Sequence, residues 1–369
     1  MRVALVSPYS LSYPGGVQGQ VLALARALEA AGHEPVVLGP VDGPVPHAPE
    51  GLVSLGRSVP VPANGSTARL ALGPVPQTRA ARALARLRPD VVHLHEPLAP
   101  GPTWACLLRS EPKVGTFHRA GTVAGGRFLA PAASRLAARL AARTAVSDEA
   151  RATAEAVAGG DDSDYRVIGN GVELDRFESA DPWPTPRPVV LFVGRHEPRK
   201  GLGVLLDAFC GLDGELGATL WVAGQGPATD DLRRRFAGRT DVEWLGVVDD
   251  DELAARMVAA SVVCAPSLGG ESFGVVLVEA MAARAVVVAS ALAGYGAVVG
   301  DHGLLVPPGD VAALRIGLDQ ALRDAQGGDG YAAPSALDAA ATRAAQWSMT
   351  EVAARYVEVY EAVHFAGHG

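Results

Sequence analysis

The sequence predicts an α/β protein of two doubly wound, parallel-sheet domains, on three observations. Short apolar runs alternate with amphipathic stretches along the whole chain, and parallel strands covered on both faces read as continuous apolar runs. The alternation stops once, in the proline-rich "ADPWPTPRP" at 180–188, and then restarts. The length of 369 residues exceeds what one core ordinarily serves and suits two.

Taken in order, "RVALVSPY" reads as a buried strand and "GGVQGQVLALARALEAAGHE" as a glycine-rich turn opening a helix. "PVVLGP" is the next strand, followed by a helix "QTRAARALARLR" and strands "DVVHLHEP" and "KVGTFH". A helix "APAASRLAARLAAR" and a strand "TAVS" close the first half. After the proline-rich linker come "VVLFVGR", a helix "GLGVLLDAFCGL", and strands "TLWVAG", "VEWLG", "SVVCAPS" and "AVVVAS". The expected domains are 1–182 and 183–347, with a terminal helix in 348–369 returning to the first. A cleft is expected at the carboxyl ends of the two sheets, where ligands bind in such folds.

Composition narrows the class. Hydrophobic residues make up 49% and charged residues 20%, a globular balance. The net charge of −8 argues against nucleic acid as a partner. Cys106, Cys210 and Cys264 stand far apart in apolar contexts, which suits a reducing cytosol and suggests no metal cluster. No signal-peptide pattern is read at the start, and no run approaches the roughly 20 apolar residues of a membrane span. The expectation is a cytoplasmic protein that at most rests on a membrane surface.

Several stretches carry candidate chemistry. "PGGVQ" places Gly16 where a strand hands over to a helix, so its backbone can approach a phosphate or simply turn. "VGRHEPRKG" sets Arg195 and Lys200 at a strand's carboxyl end, in place for a diphosphate clamp. "VAGQGP" begins like a dinucleotide fingerprint, but Thr229 stands where the third glycine belongs, which argues against a dehydrogenase. His118 follows a strand in "GTFHRAG"; His93 and His95 are expected on opposite faces of theirs. In "GGESFGVVLVEAMAAR", Glu271 and Glu279 are eight positions apart. On one helix they would be about 12 Å apart, matching a sugar and a ribose joined by a diphosphate. Arg79, Arg82 and Arg86 give the helix after residue 77 a basic face, either solvated or suited to anionic lipid.

Together these motifs, in this order, resemble the retaining glycosyltransferases of family 4, whose GT-B architecture sets two Rossmann-like domains face to face. The resemblance rests on "GGVQ", "HEP" at 95–97, "FH" at 117–118, "NGV" at 170–172, "GR…RKG" and "ESFGVVLVEAMA", and is strongest to the branch that mannosylates phosphatidylinositol. It implies GDP-mannose as donor, held by Gly16, Arg195, Lys200, Glu271, Ser272, Phe273, Gly274 and Glu279. His118, Arg195, Lys200 and Glu271 would be catalytic. Tyr9, Gln18, Asn64, Ser66 and Arg69 would meet a phosphoinositide-type acceptor, and the basic helix an anionic membrane surface. No metal or further cofactor is implied. The chain departs from the family pattern at Ala63, Leu98, the "RAG" after His118, and Arg284, which replaces a glycine. Two alternatives stay open: a family-4 enzyme with another donor or acceptor, such as N-acetylglucosamine transfer to inositol phosphate, and a non-catalytic nucleotide-sugar binder.

Overall fold

The five-residue apolar runs become strands because β-branched residues with both faces covered fit a pleated interior. The computed structural model describes residues 1–13, 15–45, 48–63, 66–121 and 126–366. In the first half the strands are β1 (Arg2–Val6), β2 (Glu34–Gly39), β3 (Val53–Ser54), β4 (Val59–Ala63), β5 (Ser66–Leu70), β6 (Val91–His95), β7 (Lys113–Phe117), β8 (Ala142–Ala145) and β9 (Tyr165–Val167). The helices between them are α1 (Gly16–Ala30), α2 (Pro74–Leu87), α3 (Pro102–Leu107), α4 (Gly126–Ala137) and α5 (Asp148–Ala158). β4 and β5 form an antiparallel hairpin of their own; the others make one parallel sheet in the order β3-β2-β1-β6-β7-β8-β9.

The second half repeats the scheme. It contains α6 (Asp175–Glu178), β10 (Val189–Val193), α7 (Leu202–Cys210), β11 (Thr219–Ala223), α8 (Thr229–Arg235), β12 (Val242–Gly246), α9 (Asp250–Ala259), β13 (Val262–Ala265) and α10 (Val275–Ala282). β14 (Val286–Ser290), α11 (Ala293–Val299), β15 (Gly303–Val306), α12 (Val311–Gly327), α13 (Pro334–Ala345) and the terminal α14 (Met349–Ala366) complete it. The sheet order is β12-β11-β10-β13-β14-β15, again parallel.

Side-chain parity divides each sheet between two cores. In the first, Val3, Leu5, Val37, Val91 and Val114 pack with α1 and α14, while Ala4, Val6, Leu38, Val92 and Leu94 face the other layer. In the second, Leu191, Trp221, Val263 and Val287 face α10, and Phe192, Val222, Cys264 and Val288 face α7 and α12.

The chain divides into Met1–Gly171 with Met349–Gly369, and Val172–Ser348. The proline-rich stretch lies within the second unit instead of marking its edge. Trp183 donates its backbone N–H to Ala255 O at 2.9 Å. Its ring lies 4.1 Å from the Arg256 guanidinium, which is also 4.7 Å from the Trp221 ring. Phe177, ahead of that stretch, is already buried in the second unit's core, so contacts draw the chain in well before the prolines.

Candidate functional site

Both sheets reverse their winding direction at one strand: β1 lies between β2 and β6, and β10 between β11 and β13. At such switch points the loops at the carboxyl ends diverge and leave a crevice for a ligand. The candidate residues of the second unit concentrate on those loops, after β10 and after β13.

In the second unit the loop after β10 carries Arg195, Glu197, Arg199 and Lys200. Gly201, at φ 69°, would clash through any Cβ with Pro266 O at 1.9 Å, so this loop and the one after β13 touch backbone to backbone. That contact sets Glu271 against the cations. Its Oε1 accepts from Arg199 Nη1 at 2.6 Å and forms an ion pair with Lys200 Nζ at 2.9 Å. Glu197, with 2% of its side chain exposed, accepts from Arg199 Nε at 3.1 Å and forms an ion pair with Arg195 Nε, also at 3.1 Å. Three cations are thus held by two carboxylates, leaving a net positive charge, and Arg195 is 52% exposed and open to a ligand. Glu197 and Arg199 were not singled out from the sequence, although "RHEPRK" displayed them. The loop after β11, the broken fingerprint, docks on this region: His196 N–H donates to Gln225 O at 3.2 Å.

The expectation of one helix carrying both glutamates is overturned. α10 begins only at Val275, after Gly274 at φ 98°, where a Cβ would come within 2.8 Å of the Tyr295 ring. Glu271 therefore belongs to the loop, and the 12 Å helical spacing does not apply. Phe273 is buried in the core with its ring edge-on to Trp347 at 5.7 Å, so its side chain faces no ligand; Ser272 beside it is half-buried. Glu279 is on α10, its side chain only 12% exposed, and its Oε1 accepts from Arg176 Nη2. Burial pushes its carboxyl up to about 6, with Arg176 pulling down and Asp250 pushing up. Arg176 is a further residue that the sequence did not single out; a lone arginine in "ELDRFE" carries no signal of its partner.

In the first unit Gly16 opens α1, and a Cβ there would meet nothing within 4 Å. Tyr9, Gln18 and Arg69 come together: Ser10 N–H donates to Arg69 O at 3.0 Å, and Gln18 Nε2 to Ser10 O at 3.4 Å. The Arg69 guanidinium lies 4.3 Å from the Tyr13 ring. Asn64 lies outside the described residues, as does the side chain of Ser66. On α2, Pro76, Ala80 and Leu84 are buried while Arg79, Arg82 and Arg86 are exposed, with Leu72 and Val75 exposed at its start.

The histidines form a buried ladder, and here too an expectation fails. Residues two apart on a strand share a face, so His93 and His95 stack with centroids 4.2 Å apart. His95 Nδ1 is hydrogen-bonded to His118 Nε2 at 2.9 Å. The His118 backbone N–H donates to Glu96 Oε1 at 2.6 Å. Burial lowers His118 to about 4, with the Asn170 amide acting the other way, so the imidazole is neutral at pH 7. Beside it a small cavity is lined by His95, His118, Asn170, Gln20 and Tyr356, and His95 Nε2 is buried without a partner among the described residues.

Chemically, the second unit offers a cationic cradle beside a short helix N-terminus, suited to a diphosphate leaving group. The first offers a neutral imidazole and a polar hairpin edge.

Comparison with known proteins fits this division. Residues 14–176 match the family described as Glycosyltransferase Family 4, and residues 187–324 that described as Glycosyl transferases group 1. A Mycobacterium leprae protein named phosphatidyl-myo-inositol mannosyltransferase is 42% identical over 382 residues, covering 100% of this chain and 98% of that one. Its Mycobacterium tuberculosis namesake is 43% identical, with 100% and 98% covered. Among solved structures, Anabaena HepE in complex with UDP-glucose matches with TM-score 0.76 at 19% identity, covering 98% of this chain and 100% of that one. A glycosyltransferase from Rickettsia africae matches with TM-score 0.74 at 17% identity, covering 98% of each. At such identities the structural matches speak for the fold, and they place it in the expected GT-B class.

Proposed function

The chain belongs to glycosyltransferase family 4 and, within it, to the phosphatidyl-myo-inositol mannosyltransferases, and from that premise we propose that it moves mannose from GDP-mannose to an inositol hydroxyl of phosphatidylinositol at a membrane surface, with retention at the anomeric carbon. The observation that carries the reading is the 42% identity sustained over the full chain.

In this reading the second unit holds the donor. Arg195 and Lys200 neutralise charge building on the departing diphosphate, helped by the α10 N-terminus. Glu271, oriented by Arg199 and Lys200, accepts from hydroxyls of the transferred sugar, and Glu279 from the ribose. Ser272 and Gly274 contribute from the same loop, and Phe273 through its backbone alone. A double-displacement route of the glycosidase kind needs two carboxylates about 5 Å apart across the sugar. Glu271, tied to two cations, is instead suited to binding; the acceptor attacks from the face the diphosphate leaves, and a donor phosphate oxygen takes its proton.

The first unit holds the acceptor through Tyr9, Gln18, Asn64, Ser66 and Arg69, with Gly16 giving room for a phosphate and His118 as its catalytic group. Among the described residues no helix is long and apolar enough to cross a membrane. The exposed Arg79, Arg82 and Arg86 give a surface for anionic lipid, each contributing about 1 kcal/mol.

The test is transfer of radiolabelled mannose from GDP-mannose to phosphatidylinositol vesicles, by the wild type and by Glu271→Ala. Labelled lipid from the first and a loss of at least about 100-fold in the second is expected. Release of free mannose without labelled lipid would keep the donor and reject the acceptor. Inertness toward GDP-mannose with turnover of a UDP-sugar would reject the donor.

A further inference from the structure

Arg176 has no task in the reading above, yet its surroundings are specific. It stands on α6, with its guanidinium 4.7 Å from the ring of Phe177, which the core anchors. Nη2 hydrogen-bonds Glu279 Oε1, and Nη1 is 3.7 Å from Asp250 Oδ1 at the start of α9. The two carboxylates are unequal. Asp250 is 73% exposed and needs no cation. Glu279 lies among Leu277, Val278, Ala280 and Met281, all fully buried, where an unpaired carboxylate is costly.

Arg176 from α6 and Asp250 from α9 are the charged groups that act on Glu279. The remaining elements against α10, namely α11, α13, β13 and β14, bring no charged group to bear on it. Only Oε1 is engaged by Arg176; Oε2 takes no hydrogen bond among the described residues.

We propose that Arg176 is a positioning residue for donor binding: through Oε1 it keeps Glu279 a carboxylate, turned so that Oε2 accepts from the donor's ribose hydroxyls. This rests on the ribose reading of Glu279. A protonated carboxyl spends one oxygen as a donor and accepts poorly at it. Burial already raises Glu279 toward about 6, and removing the one adjacent cation raises it further.

The experiment is calorimetric titration of the full chain with GDP between pH 5.5 and 8.5, with GDP-mannose kinetics alongside. For wild type, binding is expected to be level above about pH 6 and to weaken up to about tenfold per unit below it. Arg176→Met is expected to weaken GDP about tenfold at pH 7 and to move the pH midpoint upward. It should raise KM with kcat within about twofold. Arg176→Lys should restore most of the affinity and return the midpoint toward wild type. Glu279→Gln should show only the titration of GDP's own terminal phosphate, and adding Arg176→Met to it should cost nothing more.

An unmoved midpoint in Arg176→Met, or an equal loss at every pH with kcat falling too, would overturn the proposal. If Arg176→Met fails to fold, the neutral Arg176→Gln decides by the same midpoint: raised above wild type supports, unchanged overturns. Weak GDP binding by Glu279→Gln with normal binding by Arg176→Met removes the role of Arg176 alone. Normal binding by Glu279→Gln removes the ribose assignment and the proposal together.

Discussion

Arg284 shows how a single residue can stand against its own backbone. It follows the C-cap of α10 at φ 60°, the left-handed region, where a side chain costs about 1–2 kcal/mol and glycine is the usual choice. Its compensation is an ion pair with Asp338 at 2.5 Å, with both partners more than half exposed and so worth at most about 1 kcal/mol. Arg284→Gly is therefore expected to stabilise the chain slightly, by no more than about 1 kcal/mol in a denaturant titration, because the added freedom of the unfolded glycine offsets part of the relieved strain. A loss of stability would mean the bridge outweighs the strain. The sequence marked this position as departing from a glycine, but it could not reveal partners. Arg199, Glu197 and Arg176 stood in plain view as charges. What makes them part of the site is which carboxylate each one meets, and that depends on loops brought together by the sheet.

Among the elements, strands were legible where four or five apolar residues ran together, as in β1, β10 and β14. Short or polar ones were not: β3 spans two residues, and "VPVPA" in β4 carries two prolines. The start of α10 was misread because "FGVVLVEAMAA" is apolar all round, so periodicity cannot mark where helix begins; Gly274 does that by its left-handed φ. The terminal helix is a different case, since its buried polar groups have an assignable order. Thr144 Oγ1 donates to Gly115 O at 3.4 Å, so the Thr116 hydroxyl, 2.6 Å away, donates to Thr144. Thr116 then accepts from His93 Nε2–H at 2.6 Å, and His93 Nδ1 accepts from the Tyr360 hydroxyl of α14 at 2.7 Å. Tyr360→Phe strips a fully buried acceptor of its donor and is expected to destabilise the chain by about 1–3 kcal/mol. A change below about 0.5 kcal/mol would show that His93 satisfies itself otherwise.

For the whole molecule, the repetition of one strand–helix scheme was legible because parallel sheets write it twice in the same alphabet. The edge of the second unit was not, because Phe177 and Trp183 commit to that unit by contacts a linear reading does not contain. A chain with two separately cored units is not bound to unfold in one step, and a nucleotide held by one of them should act on that unit's transition. GDP at about 100 times its Kd adds about 2.7 kcal/mol. The expected result by thermal denaturation is a transition raised by GDP and indifferent to UDP at equal concentration. Equal shifts by both would reject guanine selectivity.

The second unit is left through a residue next to the one by which it is entered. Val172 N–H donates to Trp347 O at 2.8 Å, and Val172 pairs in parallel with Ser348. Its 177-residue span is thus an insert with both ends tied at one point. In hereditary terms it is a cassette: a gene segment coding for 172–348 can be exchanged for another of the same plan with its two junctions side by side. In the proposed reading a lineage can therefore change which nucleotide sugar it spends while keeping, residue for residue, the half that reads the acceptor.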